Sequence, residues 1–253
     1  MSFWAQFAIS FVFYVLSLGV SHGVVLSLSS GNVQLNYNDN STTTASLFVD
    51  GVDNLYEYGF YYRQSNGSVT KLTNGTLIGS DTIRYEPQND LEIDISFALP
   101  STSAPDVNVS IEVSNDQTND VDGSVIFYFD YDLNGGFTSH DATIAGDTIT
   151  VTEPGGVIAN ITGTDADAYQ IAAFSGLRTS IALGNQLNNT GNNFTNADFT
   201  GAFQWNFSLS TGQQVVFDST TVIPEPSHYG LLVSVVLLFS IVRRKERRTE
   251  FTH

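Results

Sequence analysis

Apolar and polar residues alternate along much of the chain with a period of two residues. The positions between the apolar residues are mostly polar, as Glu92, Asp94 and Ser96 illustrate. Alternate side chains of a strand point to opposite faces, so this period predicts strands with one buried and one solvated face, as in antiparallel sheets. The clearest apolar rows are Val33, Leu35 and Tyr37; Leu91, Ile93, Ile95, Phe97 and Leu99; Val107, Val109, Ile111 and Val113; and Val125, Phe127, Phe129 and Tyr131.

Turn signals separate these rows. Pairs such as Asn66-Gly67 and Thr211-Gly212 supply residues that tolerate positive φ, which tight hairpin turns require. About a dozen short strands with such turns predict an all-β fold, an antiparallel β-sandwich with jelly-roll-like connections. An irregular barrel is the alternative.

Two segments receive more specific predictions. Residues 168–174 are the nearest candidate for helix, and we expect a short helical turn there that ends at Gly176. Residues 196–217 are predicted to form a closing hairpin, which packs Phe203, Trp205 and Phe207 against a sheet.

The two ends of the chain differ from this pattern. Phe7 to Leu18 is an apolar stretch of signal-peptide length, and small residues at Ser21 and Gly23 offer a cleavage site. Near the other end, an uncharged run extends from Tyr229 to Val242. The predicted organisation is a signal peptide at 1–23, an exported β domain at 24–222, a linker at 223–228, a transmembrane helix at 229–242 and a basic cytoplasmic tail at 243–253.

The linker carries the sequence Pro224-Glu225-Pro226. Prolines cannot continue a helix or strand, so this segment is predicted to be extended and accessible. The basic residues after the uncharged run favour retention at the cytoplasmic face of a membrane. They are Arg243, Arg244, Lys245, Arg247 and Arg248.

This order of motif, apolar helix and basic cluster resembles the PEP-CTERM sorting signal of exported bacterial proteins. The resemblance covers residues 222–253 only, with Pro224, Glu225 and Pro226 as the sorting motif. It implies that an exosortase processes the tail near the motif, after the helix has held the protein in the inner membrane. It also implies delivery of the body to the cell surface or to an exopolysaccharide matrix. An ordinary single-span anchor is the alternative, although a span usually needs about 20 apolar residues.

Charge and composition exclude several function classes. The formal net charge is −17, and only four basic residues, Arg63, Lys71, Arg84 and Arg178, lie between residues 24 and 222. Nucleic acid is therefore not expected as a partner, because phosphate binding needs a positive surface. The chain has no cysteine, which excludes disulfides, thiolate metal sites and cysteine nucleophiles. His140 is the one histidine of the predicted domain.

Residues 130–141 match the ligand spacing of an EF-hand-type calcium loop. Oxygen ligands stand at positions one, three and five, glycine at six, and a carboxylate at twelve. Calcium prefers such hard oxygen donors, so it is the candidate cofactor. The predicted metal ligands are Asp130, Asp132, Asn134, the carbonyl of Gly136, and Asp141. A strand rather than a helix precedes the loop, and the alternative is an acidic hairpin turn that binds no metal.

Three hypotheses remain for the activity of the domain. The first is a non-catalytic surface or matrix protein, with no catalytic residues predicted and no enzyme activity. The second is a carbohydrate-binding module of the exopolysaccharide matrix, in which Trp205 and the alternating aromatic residues from Tyr56 to Tyr62 offer stacking faces; the alternative is that these rings form core. The third and weakest is a secreted glycoside hydrolase, since a suitable pair of carboxylates cannot be recognised among so many.

Overall fold

The computed structural model describes residues 23–41, 44–88, 91–100 and 106–223. The predicted signal peptide up to residue 22, the sorting motif, the predicted membrane helix and the basic tail lie outside these residues. Within them, no helix is both long and apolar enough to cross a bilayer.

The described residues form eighteen strands, one α-helix and one short 3₁₀ turn. The helix α1 spans Gly176–Ala182 and the 3₁₀ turn spans Leu133–Gly135. The strands are β1 (Val25–Ser30), β2 (Val33–Asn38), β3 (Ala45–Val49), β4 (Val52–Asp53), β5 (Glu57–Gln64), β6 (Val69–Lys71), β7 (Thr76–Leu77), β8 (Thr82–Gln88), β9 (Leu91–Ala98), β10 (Asp106–Asn115), β11 (Val121–Asp130), β12 (His140–Ala145), β13 (Thr148–Thr152), β14 (Ile158–Gly163), β15 (Ala168–Ala173), β16 (Phe194–Ala197), β17 (Phe199–Leu209) and β18 (Gln213–Val222).

These strands pair antiparallel in three sheets. The largest has nine strands in the order β16-β12-β13-β14-β18-β10-β9-β8-β7. The second has five strands in the order β15-β17-β11-β5-β6, and the third has four in the order β1-β2-β3-β4. The predicted all-β class is thus confirmed as a set of antiparallel sheets. The nine and five strands of the two larger sheets exceed the eight strands of a simple jelly roll.

Aromatic rings from the two larger sheets meet in the core. Phe60 on β5 stacks on Phe127 of β11, with ring centroids 4.9 Å apart. Phe97 on β9 of the nine-stranded sheet meets Phe60 edge-on at 6.0 Å, and Tyr37 of the four-stranded sheet contacts both rings. One continuous core therefore joins all three sheets, and edge-to-face and offset ring contacts stabilise it beyond the area that they bury.

The period-two rows are confirmed as the inner faces of these sheets. All members of the four predicted apolar rows are buried except Leu99, which is partly buried against the same core. Ile223, assigned to the linker from sequence, is buried as well.

Two local predictions were wrong. β17 and β18 are not a hairpin, because β17 pairs with β11 and β15 whereas β18 pairs with β10 and β14 in the other large sheet. The turn at Thr211-Gly212 instead carries the chain from one layer to the next. Residues 168–173 form β15 rather than a helical turn, since they complete the ladder beside β17, and the helix begins at Gly176 where a stop was expected.

Candidate functional site

The outer face of the five-stranded sheet is covered by α1. Leu177 and Ile181, one helical turn apart, pack on Tyr61, Ile126 and Tyr128 of the sheet. Residues four apart lie on one face of a helix, which explains how so short a helix buries both side chains. The central strand β11 is therefore buried on both faces from Ser124 to Asp130, which accounts for its nearly continuous apolar sequence.

Glu57 begins β5 on this covered face, and its side chain is fully buried. Lys71 Nζ lies 3.2 Å from its Oε1, and Arg178 Nη1 lies 2.9 Å from its Oε2. Lys71 reaches it from the neighbouring strand β6 and Arg178 from α1. Burying a lone carboxylate costs several kcal/mol, so the two cations are what makes this position tolerable.

A cleft of about 650 Å³ opens above this carboxylate. It is larger than the cleft of about 380 Å³ beside Arg84. Its size falls within the usual range for small-molecule sites. The residues that line it are Ser41, Tyr56, Glu57, Tyr61, Lys71, Arg178, Thr179, Ala182 and Leu183.

Aromatic rings pack along one wall of the cleft. The guanidinium of Arg178 lies over the ring of Phe174, 5.4 Å from its centroid. Phe174 in turn meets Tyr56 edge-on at 6.0 Å. The side of the cleft formed by α1 is thus tied to the residue that precedes Glu57, which fixes the position of the arginine.

Three of the four basic residues between positions 24 and 222 gather around this cleft. Lys71 and Arg178 line it, and Arg63 Nε donates a hydrogen bond to the carbonyl of Gly184, just beyond α1. In a chain with a net charge of −17, most of the basic residues between positions 24 and 222 therefore lie around this cleft.

A cluster of acidic residues lies beside the cleft. Asp130 ends β11 and is the direct cross-strand partner of Glu57. One carboxylate oxygen from each of Asp130, Asp132 and Asp198 lies within 4.8 Å of the others. Burial and the charges of Asp132 and Asp198 raise the pKa of Asp130 to about 8. Burial, with Asp198 next, raises the pKa of Asp132 to about 6, and burial raises the pKa of Asp198.

The structure rearranges the predicted calcium loop. Asp130 and Asp132 come together as expected, but Asp198, which sequence reasoning missed, completes their cluster. Asn134 is exposed, with φ at 57°, and its backbone N–H donates to Asn54 Oδ1. The 3₁₀ turn at Leu133–Gly135 intervenes, and the N–H of Gly136 closes it on the carbonyl of Leu133.

The twelfth residue of the predicted loop, Asp141, lies apart from this cluster. It is exposed on β12, and its Oδ1 accepts a hydrogen bond from the N–H of Asn196. A strand begins at His140 and pairs with β16, with His140 opposite Ala197, so Asp141 is held beside Asn196 and outside the group of three carboxylates. The residues from 130 to 141 therefore do not form one EF-hand-like ring of ligands.

The predicted aromatic row is core rather than a sugar-binding surface. Tyr58, Phe60 and Tyr62 are buried between the sheets. Trp205 is buried too, and its indole N–H donates to the carbonyl of Thr164. Tyr56, only partly buried, is the member of the row that lines the cleft.

Glu57 was missed from the sequence, although one signal was available. It stands beside a run of aromatic residues, Tyr58 to Tyr62, in which the residues on both faces of the predicted strand are apolar or small. A charged residue at the edge of a strand that is apolar on both faces indicates a buried, partnered carboxylate. Arg178 carried no comparable signal, because its proximity depends on where α1 docks.

The fold resembles those of solved structures of enzymes that act on carbohydrates. No protein-family profile and no curated protein sequence matches the chain. A bacterial glucoamylase complexed with acarbose superposes with a TM-score of 0.58 at 6% identity, covering 81% of this chain and 34% of that enzyme. The chain thus spans about a third of the glucoamylase. The other two comparisons extend over nearly the whole length of the matched chain.

A galactose mutarotase related enzyme from Lactobacillus acidophilus gives a TM-score of 0.52 at 7% identity, covering 81% of this chain and 99% of that one. A protein assigned as an aldose 1-epimerase from Escherichia coli K12 gives 0.50 at 12% identity, covering 79% and 99%. Identities this low establish likeness of fold.

These comparisons correct the expectation of a non-enzymatic domain. That expectation was wrong because it depended on finding no recognisable catalytic set in the sequence, whereas the three solved structures named above, which this chain resembles in fold, are described as enzymes.

Proposed function

We propose that this protein is a carbohydrate-active domain and that the cleft above Glu57 is where it binds and acts on a saccharide. The observation that carries the proposal is a fully buried carboxylate held between two cations at the base of a cleft of about 650 Å³. Concave sites that combine apolar walls with a few convergent polar groups are the usual places for small-molecule binding.

The polar groups of the cleft retain hydrogen-bonding capacity for a ligand. An arginine has five N–H donors and a lysine three, and a carboxylate has about four acceptor positions. The side chains of Lys71 and Arg178 are 33% and 37% exposed, so donors beyond those that pair with Glu57 face the cleft. Sugar hydroxyls both donate and accept, and they therefore suit a site that offers both kinds of group.

The aromatic residues of the cleft suit the other property of a sugar, its apolar ring face. Tyr56 and Tyr61 line the cleft beside the charged groups. A flat ring can stack on the C–H face of a pyranose while the charged groups bind its hydroxyls. Leu183 and Ala182 add apolar surface from the end of α1.

The fold comparisons support an action on sugars rather than binding alone. The three proteins above are described as a glucoamylase, an aldose 1-epimerase and a galactose mutarotase related enzyme. The last two match along 99% of their own length, so the β domain of this chain corresponds in extent to an entire enzyme. Fold alone does not fix the reaction, which is why the proposal depends on the cleft.

Replacing Glu57 by glutamine should weaken saccharide binding. The purified full chain is screened against neutral and acidic oligosaccharides by ligand-observed NMR, and the best ligand is titrated calorimetrically. Glu57 holds Lys71 and Arg178 in position for the ligand, and loss of a hydrogen bond to a charged group costs about 1.5–3 kcal/mol, so affinity should fall by roughly 10- to 100-fold. Anomer interconversion and hydrolysis of the same ligand are followed in parallel and should decrease with the affinity.

Glu92→Gln is the matched control. Glu92 also forms an ion pair, with Arg84 at 2.7 Å, but its side chain is 27% exposed and neither residue lines the cleft. That variant should bind as the wild type does. Tyr56→Ala, which removes a wall of the cleft without changing Glu57, Lys71 or Arg178 themselves, should also weaken binding. Equal binding by all of these proteins, with unchanged melting temperatures, would refute the assignment of the cleft.

The carboxyl-terminal signal supports a proposal about where this activity occurs. Residues 222–253 resemble the PEP-CTERM sorting signal, with Pro224-Glu225-Pro226 as its motif. We propose that the chain is exported, held briefly in the inner membrane, processed by an exosortase and delivered to the cell surface or matrix. A saccharide-active domain would there meet exopolysaccharide as its partner.

A further inference from the structure

Three aspartates from two distant parts of the chain converge beside the cleft. Asp130 ends β11, Asp132 follows it in the next loop, and Asp198 lies between β16 and β17. One oxygen from each lies within 4.8 Å of the other two. Calcium–oxygen distances are about 2.3–2.6 Å, so two oxygens on opposite sides of one ion are about 4.6–5.2 Å apart. The three oxygens are thus close enough to share one ion.

A second observation concerns the hydrogen bonding of Asp130. This residue is 1% exposed, and its Oδ1 is buried without any hydrogen-bond partner. Leaving such an oxygen buried and unpaired ordinarily costs about 1–3 kcal/mol of stability, and more when it is charged. The hydroxyl of Tyr128, two residues earlier on the same face of β11, is also buried without a partner. Asp130 Oδ1 is therefore a buried acceptor that no donor of the described chain satisfies.

We propose that Asp130, Asp132 and Asp198 bind a divalent cation, and that calcium is the ion that fits. Carboxylates are hard oxygen donors, and the cluster contains no nitrogen or sulfur ligand that would favour zinc or copper. Calcium accepts six to eight oxygens in irregular geometry, so backbone carbonyls and water can complete the shell. Magnesium demands a near-ideal octahedron, which three carboxylates from two separate segments supply less readily.

The bound ion has a structural consequence. It links the end of β11 to the β16–β17 junction, whose Asp198 carbonyl also accepts the N–H of Phe174, just before α1. Asp130 is the cross-strand partner of Glu57. The ion therefore stabilises the folded state by linkage and holds together the segments that surround the cleft. The metal site does not depend on the saccharide assignment.

Calcium titration of the full chain tests this site. After chelation of bound metal, calcium should raise the melting temperature, and calorimetry should give one ion per chain. Asp198→Asn should lower calcium affinity by at least about tenfold, because it removes one of three charged ligands. Without metal, Asp198→Asn should be at least as stable as the wild type, since it relieves repulsion among the three carboxylates. That result separates a lost ligand from a damaged fold.

Asp141→Asn is the matched control, and it distinguishes this site from a linear calcium loop. Asp141 is the twelfth residue of the sequence motif but lies outside the cluster, on β12. Its variant should keep the affinity of the wild type. If Asp141→Asn loses calcium while Asp198→Asn retains it, the loop and not the cluster is the site. If the wild type responds to neither calcium, magnesium nor manganese, the proposal is overturned.

Discussion

At the scale of single residues, the sequence identified the acidic and aromatic positions but not their neighbours. Asp130 and Asp132 were candidates because a local motif joins them, whereas Asp198 lies far along the chain and could be added only by the pairing of β17 with β11. Glu57 likewise gains its significance from Lys71 and Arg178, which two other elements supply. Contacts between residues that are distant in sequence are set by strand order, which a single sequence does not encode locally.

His140 illustrates the same limit and makes a testable prediction about pH. Its side chain is fully buried, neither ring nitrogen has a hydrogen-bond partner, and burial lowers its pKa below the ordinary value of 6.5. The unfolded chain therefore binds a proton near pH 6.5 that the folded chain binds only at lower pH. The contribution of neutral His140 to stability is present above pH 6.5 and is lost as the pH falls.

Comparison with His140→Leu isolates this contribution. Below pH 6.5, the free energy of unfolding of the wild type, measured in urea, should fall relative to that of the variant. The limiting slope for one proton is about 1.4 kcal/mol per pH unit. A difference that stays constant from pH 7.5 to pH 5 would mean that the folded and unfolded states titrate alike. The acidic groups are common to both proteins, so their contributions to the pH dependence cancel in this difference.

At the scale of elements, the hydrophobic period predicted the strands correctly but did not predict which strands pair. Every predicted apolar row is an inner face, because a one-residue slip would expose the whole row. The predicted closing hairpin failed for another reason. A tight turn at Thr211-Gly212 is compatible with a hairpin and equally with a crossing between two layers. Only the partners available in each sheet decide between the two.

The helix shows how tertiary context overrides local preference. Residues 168–173 contain three alanines, which favour helix, yet they form β15 because β17 offers an unpaired edge. The seven residues of α1 are too few to be stable alone. They are helical because Leu177 and Ile181 fill the outer face of the five-stranded sheet. That docking places Arg178 on Glu57, so the cleft depends on an element that the sequence did not predict.

At the scale of the whole molecule, the chain has a β domain between two ends for which the sequence predicts export signals. Export is proposed from the predicted signal peptide and tail, and the acidic domain resembles in fold a glucoamylase and a galactose mutarotase related enzyme. Intact-mass spectrometry of the protein isolated from its own cells should give a mass that lacks the first 20 or so residues and the segment after the sorting motif. A full-length mass in the cytosol would contradict export and sorting, and would leave the cleft assignment unaffected.

The most direct test of the central claim is to locate a bound saccharide. A crystal structure of the protein with the best oligosaccharide from the binding screen should show a sugar ring against Tyr56, with hydroxyls bonded to Arg178 and Lys71 above Glu57. A saccharide bound elsewhere on the domain, with this cleft filled only by solvent, would contradict the account.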